Sequence, residues 1–390
     1  MKNFKLDPLG QFTAANVRRG TPCSFHLTAH LHEALDLAAL QQAVNDVFTH
    51  VPWLSHRMRP GFFNYRYEFL PPPKIVPASQ PHCFDCYFSE GEGHCIRVLY
   101  GERHFTVENI HSMVDGRGLS QIMRALLMRY FGFALDIPQA DENNYARFYN
   151  PKNKQAKVLL GRPPAFVMPP QPGAATRVIA HNFDLSNMKA VAKSHSCTIS
   201  EFMLAHIFMA HTAYRDAAGS TLPICAMLPI DFRSFFPTRT VRNFVGFKAI
   251  TMPESAQLAE VIAGLRTQFA GINKDYVQGS INEMQGLINK SSFVPFALKK
   301  LVMRLAEHSE SKSLTTVFSN LGKISLPPEI EQQLQHLEFV IDLEASSSCF
   351  SCVTAGNVLT LTVSAASPQV EDLAQNIMQR LANHTKGVLP

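Results

Sequence analysis

Asn109-Ile110-His111-Ser112-Met113-Val114-Asp115-Gly116-Arg117-Gly118 sits between two different periodicities. On its N-terminal side, residues 95–100 and 103–110 read as a hairpin turning at Gly101-Glu102. In the second arm Phe105, Val107 and Asn109 share one face, and continuing the period of two puts His111 there as well. On the C-terminal side Leu119, Ile122, Met123, Leu126, Leu127, Tyr130 and Phe131 recur at helical spacing, a strongly amphipathic stripe. The stretch is therefore a strand-to-helix junction. It has a histidine at the strand end and, four residues on, an acid in a glycine turn. Imidazole is the side chain best matched to proton transfer near neutral pH. A histidine in such a place, taken by itself, reads first as a hydrogen-bonded strand cap.

Outward from this junction, strands and helices alternate. Phe25, Leu27, Ala29 and Leu31 alternate as in a strand. Asp36 is placed to cap a helix carrying Leu37, Leu40, Val44, Val47 and Phe48, which Pro52 ends. Residues 61–69 read as a short strand closed by Pro71-Pro72-Pro73. Seven prolines crowd residues 135–176 in a polar stretch, the best linker candidate. The chain restarts with strand-like Arg177–Phe183 and Asp184 before a helix, resembling the Asp36 start. A long helix over about 199–216, a strand at 222–230, a loop at 231–243 and helical periodicity over 255–306 follow. Strands near 314–319, 336–343, 347–354 and 357–364 precede a last helix at about 368–383. This order predicts an α/β class, a two-layer α+β sandwich. It divides into subdomains at 1–150 and 177–390 joined by the linker 151–176.

Of the 390 residues, 46% are hydrophobic and 17% charged, too little charge for a disordered chain. The 36 basic residues form no run, so no nucleic-acid partner is expected. No apolar stretch reaches about 18 residues, so no membrane span is expected. The first residues carry no apolar signal segment, which predicts a cytoplasmic protein with reduced thiols. His82, Cys83, Cys86, His94 and Cys95 could suggest zinc, but the second pair follows too closely, in a strand pattern, and reduced structural cysteines are the expectation. Cys349 and Cys352 fall in a strand, where side chains three apart face opposite sides. No metal site is expected. No glycine-rich phosphate loop and no Gly-x-Ser-x-Gly elbow is present, which leaves nucleotide hydrolysis, hydride transfer and serine hydrolysis without support.

His111-x-x-x-Asp115-Gly116 at a strand–helix junction resembles the His-His-x-x-x-Asp-Gly motif of the chloramphenicol acetyltransferase-like superfamily. That group includes CoA-dependent acetyltransferases, condensation domains of peptide synthetases, polyketide-associated acyltransferases and alcohol acetyltransferases. Three further stretches resemble the alcohol acetyltransferase branch, in the right order. They are Leu228-Pro229-Ile230-Asp231-Phe232-Arg233 with Arg242-Asn243-Phe244-Val245-Gly246, then Phe318-Ser319-Asn320-Leu321-Gly322, and early in the chain Pro52-Trp53-Leu54 to Arg59-Pro60-Gly61-Phe62-Phe63. The polyketide-associated acyltransferases are the neighbouring branch. One position departs: Ile110 stands where the family has its first histidine, a supporting residue, while the family's base aligns with His111.

The resemblance implies two acetyltransferase-like subdomains with a channel between them and His111 near its middle. His111 would be the general base and Ser319 the donor to the tetrahedral oxyanion. Asp115 would point away from substrate and pair with an arginine, for which Arg233 is chosen; Gly116, Asn243 and Asn320 would order the site. The implied reaction is acyl transfer from a thioester, acyl-CoA first, to an alcohol. A carrier-protein donor or amine acceptor is the alternative, and a non-catalytic binding module of the same fold is another. The expected partners are a small-molecule acyl donor and an alcohol or amine acceptor, or an acyl carrier protein. The chain is expected to act as a monomer with no bound cofactor, the thioester being a co-substrate. The 28 phenylalanines admit two readings. Phe202, Met203, Ile207, Phe208 and Met209, with Phe293, Phe296, Leu298 and Leu301, are either core or the lining of an acyl channel.

Overall fold

The computed structural model describes residues 5–17, 23–79, 93–139, 142–152, 162–168, 177–254, 257–342, 348–365 and 369–384. Most of the proline-rich linker and the His82, Cys83 and Cys86 group lie outside these residues. Strands are numbered here in chain order. Five form a first sheet in the order β11 (Leu334–Asp342), β1 (Ser24–Leu31), β6 (His104–Ile110), β5 (Ile96–Tyr100) and β4 (Val76–Pro77). All pairs are antiparallel except β4 with β5. β2 (His56–Pro60) and β3 (Tyr65–Phe69) make a separate hairpin.

The period of two decides which side chains of the first sheet face the core. Leu27 pairs with Val107 on one side and Phe339 on the other, and Ala29 with Phe105 and Leu337. All six are buried in one cluster with the apolar stripes of the Leu37–His50 and Gly116–Tyr130 helices. The first of these helices starts where Asp36 accepts from the Ala38 and Ala39 N–H groups at 2.9 and 3.0 Å.

The second sheet has the order β7 (Arg177–Asp184), β13 (Val358–Ala365), β12 (Cys349–Ala355), β10 (Thr316–Lys323), β8 (Cys225–Asp231) and β9 (Val245–Thr251). β12, β10 and β8 are parallel; the outer pairs are antiparallel. The Ile199–Ala217 helix lies in its core. Thr198 and Glu201 close its N-terminus with a reciprocal capping box.

The 177–390 half does not keep to its own sheet, because β11 joins the first one beside β1. That strand also links the lobes. The Phe339 carbonyl accepts from the Ser351 hydroxyl, and the Ile341 carbonyl from that of Ser364 at 2.6 Å. Within the expected linker, residues 162–168 pack rather than hang free: Phe166 and Met168 are buried in the second core, and the Phe166 N–H donates to Pro223. Strand β9 has no counterpart among the expected elements. Gly246 and the mixed exposure of its middle residues leave no clean alternation to read.

The two readings of the phenylalanine excess are now separable. Phe202, Met203, Ile207 and Phe208 are fully buried in the second lobe's core. Phe293, Leu298 and Leu301 face outward, Phe293 at 88% exposure. The first group is core, filling the space between sheet and helices; of the second, Phe296 is half-buried against Tyr65 and the first core, its ring 4.5 Å from that of Tyr65, while the rest lie on the surface.

Because β11 is the strand shared by both lobes, its core side chains should be costly to remove. Phe339 is 1% exposed, and Phe339→Ala should lower unfolding stability by about 3–5 kcal/mol. Guanidinium denaturation, comparing midpoints at unchanged slope, measures this directly.

Candidate active site

Strand β6 ends at Ile110, and the chain turns sharply before the Gly116–Tyr130 helix. The parity of the strand puts Ile110 on the face opposite Phe105, Val107 and Asn109, where it is nevertheless buried. His111 turns the other way, its ring packed on Phe25 with centroids 4.3 Å apart, and Phe25 in turn meets Phe339 at 5.7 Å. The His111 N–H donates to the Cys23 carbonyl at 3.0 Å, fixing the residue to the start of β1.

Nδ1 of His111 lies 3.2 Å from the Val114 carbonyl oxygen. A carbonyl only accepts, so Nδ1 carries the proton and Nε2 holds the lone pair. Asn109 donates to the same carbonyl at 3.0 Å, which orients it. Burial pushes the imidazole down to about 4, against the Asp115 charge, the Val114 carbonyl and Asn243, which pull it up. The ring is therefore neutral across the physiological range. His111 is 6% exposed.

Asp115 does two things at once. Its Oδ1 accepts from the Gly118 N–H at 2.8 Å, capping the helix. Its carboxylate also takes both ends of the Arg233 guanidinium, at 3.0 and 3.2 Å, and the Phe244 N–H at 2.7 Å. Arg233 spends its remaining donors on Asp231 at 2.8 Å and on the Thr240 and Arg242 carbonyls at 3.1 and 2.6 Å. The pairing chosen from the sequence is thus present, with both side chains largely buried.

Asn243 clamps the His111 turn from the second lobe. Its amide donates to the His111 and Ser112 carbonyls, both at 3.4 Å, and its N–H to Met113 at 3.3 Å. Gly116 lies where a Cβ would come within 2.6 Å of Leu321, so the 319–322 turn of β10 closes directly onto the start of the motif helix. Ser319 is nearly buried on that strand, opposite Ser351 of β12. Asn320 is exposed; it donates to Ser200 at 3.1 Å and accepts from the Gly322 N–H at 2.8 Å. Gly322 has φ +72°, which explains the glycine.

Sequence reasoning missed the N-terminal segment. Asp7 is fully buried, caps the Pro8–Asn16 helix through Gly10 at 2.7 Å, and accepts from Asn243 at 3.2 Å. Arg242 lies 3.7 Å from its other oxygen. Burial raises Asp7 to about 6 despite Arg242, Gly10 and Asn243, and the Asp115 charge adds to the rise. A Cβ on Gly10 would sit 2.2 Å from the Ser112 carbonyl. The Asp7-Pro8 cap signal was in the sequence; nothing there tied it to a motif a hundred residues on. An open cleft of about 460 Å³ is lined by Arg117, Arg124, Asp136, Asp231, Arg233 and Arg239. Arg233 reaches it and His111 does not, so it lies behind the ion pair.

Removing half of a buried pair strands the other charge, at roughly 3–5 kcal/mol. Asp115→Ala should show that loss in denaturant unfolding, and Arg233→Lys should recover little of it, because an ammonium cannot bridge both carboxylate oxygens.

No protein-family profile and no curated protein matches the chain. Solved structures do match over nearly its whole length. The TRI101 protein of F. sporotrichioides, complexed with coenzyme A and T-2, is 14% identical, with TM-score 0.65 over 99% of both chains. Polyketide synthase associated protein 5 from Mycobacterium tuberculosis is 11% identical, with TM-score 0.60 over 98% of both. The epimerization domain from the third module of tyrocidine synthetase B is 12% identical, with TM-score 0.61 over 98% of this chain and 95% of that one. With two lobes and a strand shared between them, the chain has the fold of these structures, the chloramphenicol acetyltransferase-like and condensation-domain fold.

Proposed function

We propose that the protein is an acyltransferase that moves an acyl group from a thioester, acyl-CoA in the first instance, to an alcohol, with His111 as general base. The observation that carries this reading is the His111–Val114 hydrogen bond in a buried setting. Burial holds the ring neutral, and the bond puts the proton on Nδ1, which leaves Nε2 as the proton acceptor.

In this reading the acceptor hydroxyl gives its proton to Nε2 as its oxygen attacks the thioester carbonyl. A C–O bond forms, and the carbonyl electrons become an oxyanion. Ser319 donates a hydrogen bond to that oxygen. Collapse re-forms the carbonyl and breaks the C–S bond; the departing thiolate takes the proton from the imidazolium. The protein begins and ends the cycle unchanged. Donor and acceptor would reach His111 from opposite ends of a channel between the lobes. The low-lying imidazole makes it a weak base before substrate arrives. The buried Asp115 carboxylate, which draws the ring toward its charged form, opposes that deficit.

The test is thiol release from acyl-CoA in the presence of small alcohols. His111→Ala should reduce release about 10²–10⁴-fold at an unchanged melting temperature. Wild-type turnover in a folded His111→Ala protein would sink the mechanism. No turnover with CoA or carrier-protein thioesters would favour the binding module instead. Ser319→Ala should lower kcat by about 10²–10³-fold if its hydroxyl meets the oxyanion.

The pH profile follows from the same geometry. The ring stays unprotonated until pH falls to about 4, so kcat/KM should hold level from about pH 8 to about 5 and fall only below that. A fall centred near the ordinary histidine value of about 6.5 would mean that the buried ring is not the base.

A further inference from the structure

The two faces of the first sheet differ in chemistry. Odd-numbered side chains of β1, β6 and β11 fill the core, whereas the even-numbered ones include Thr28, His30, His104, Thr106, His336 and Glu338. At one end of this polar face three adjacent strands each present a histidine. His30 of β1 pairs directly with His104 of β6 and with His336 of β11. The His30 and His336 rings stack with centroids 4.3 Å apart, and His104 is 5.4 Å from His30.

We propose that His30, His336 and Glu338 form a binding site for a divalent transition metal ion of the zinc class. One ligand atom from each lies within 4.8 Å of the others. Nε2 of His30 is shielded from solvent and has no hydrogen-bond partner, although the Glu338 Oε2 is 3.6 Å away. That separation is too long for a hydrogen bond. An ion at about 2.0–2.1 Å from both atoms would subtend them at roughly 120°, close to tetrahedral. The His336 nitrogen lies within 4.8 Å of the other two ligand atoms, and its ring must turn out of the stack with His30 to aim at the same ion. Two imidazoles and a carboxylate suit zinc better than calcium or magnesium, which take oxygen ligands. All three residues are half-buried, so an ion can enter and one coordination position stays open to water.

Such an ion joins β1 to β11, strands far apart in the chain. The same two strands carry Phe25 and Phe339, the rings behind His111. The ligands come from opposite ends of the sequence, so no local spacing announces them, and the expectation of no metal site had only local motifs to draw on.

The experiment uses the full chain, stripped with chelator and titrated with Zn²⁺ by calorimetry and with Co²⁺ by visible absorption. A single equivalent should bind, raise the melting temperature, and give a cobalt d–d band without a thiolate charge-transfer band. His336→Ala and Glu338→Gln should each weaken binding by at least about tenfold, the loss common even for outer-shell partners, and remove the thermal shift. Melting of each chelated variant establishes that it folds; should His336→Ala not fold, Glu338→Gln and His30→Asn carry the test. The proposal is overturned by no Zn²⁺ binding, by a thiolate band on the single equivalent, or by folded variants that bind as tightly as wild type.

Discussion

Arg233 and Asp115 hold two buried charges together between the lobes, and the site is arranged around satisfying them. Each carboxylate oxygen of Asp115 has more than one donor. Arg233 gathers a second carboxylate and two carbonyls besides. A buried pair of this kind is weak evidence for stability as such, since well-packed apolar residues often do as well. What it supplies is direction. The 231–244 loop must wrap the guanidinium to give up its carbonyls, and that wrapping delivers Asn243 to the His111 turn.

The same pair shapes the electrostatics of the proposed base. An unpaired Asp115 carboxylate so near His111 would favour the imidazolium and cost the ring its role as a proton acceptor. Arg233 offsets that charge, and burial then dominates, which keeps the ring neutral. Some pull from Asp115 remains, and it is useful in one state only, when the ring has taken a proton. A static counter-charge that is mostly cancelled at rest serves both halves of a proton-transfer cycle better than a bare one.

What the sequence made legible was whatever depends on nearby residues. The β5–β6 hairpin, the Asp36 and Asp184 caps and the stripe of the Gly116–Tyr130 helix follow from spacing within about twenty residues. The Asp115–Arg233 pair, 118 residues apart, came only through resemblance to a family pattern. Contacts with neither local spacing nor a pattern stayed hidden: Asp7 against Asn243, β11 in the first sheet, His30 beside His336. The Phe202–Met209 run shows the converse limit. A stripe at helical spacing says that a face is buried but not against what, and here it is core.

Ile110 bears most directly on whether the site is competent. Its side chain leaves β6 on the side of the strand opposite Asn109, and it is packed in the first core. A histidine there would need a buried partner of its own, and an isoleucine needs none. The loss is therefore absorbed by packing, with no gap left beside the proposed base. The contacts that orient His111 come from Cys23, Val114, Phe25 and Asn243, none of which depends on residue 110 being polar. Asn109 Oδ1, Asp7 Oδ2 and Asn243 Oδ1 are buried without a hydrogen-bond partner. Such atoms are costly to retain, and they cluster around the His111 turn.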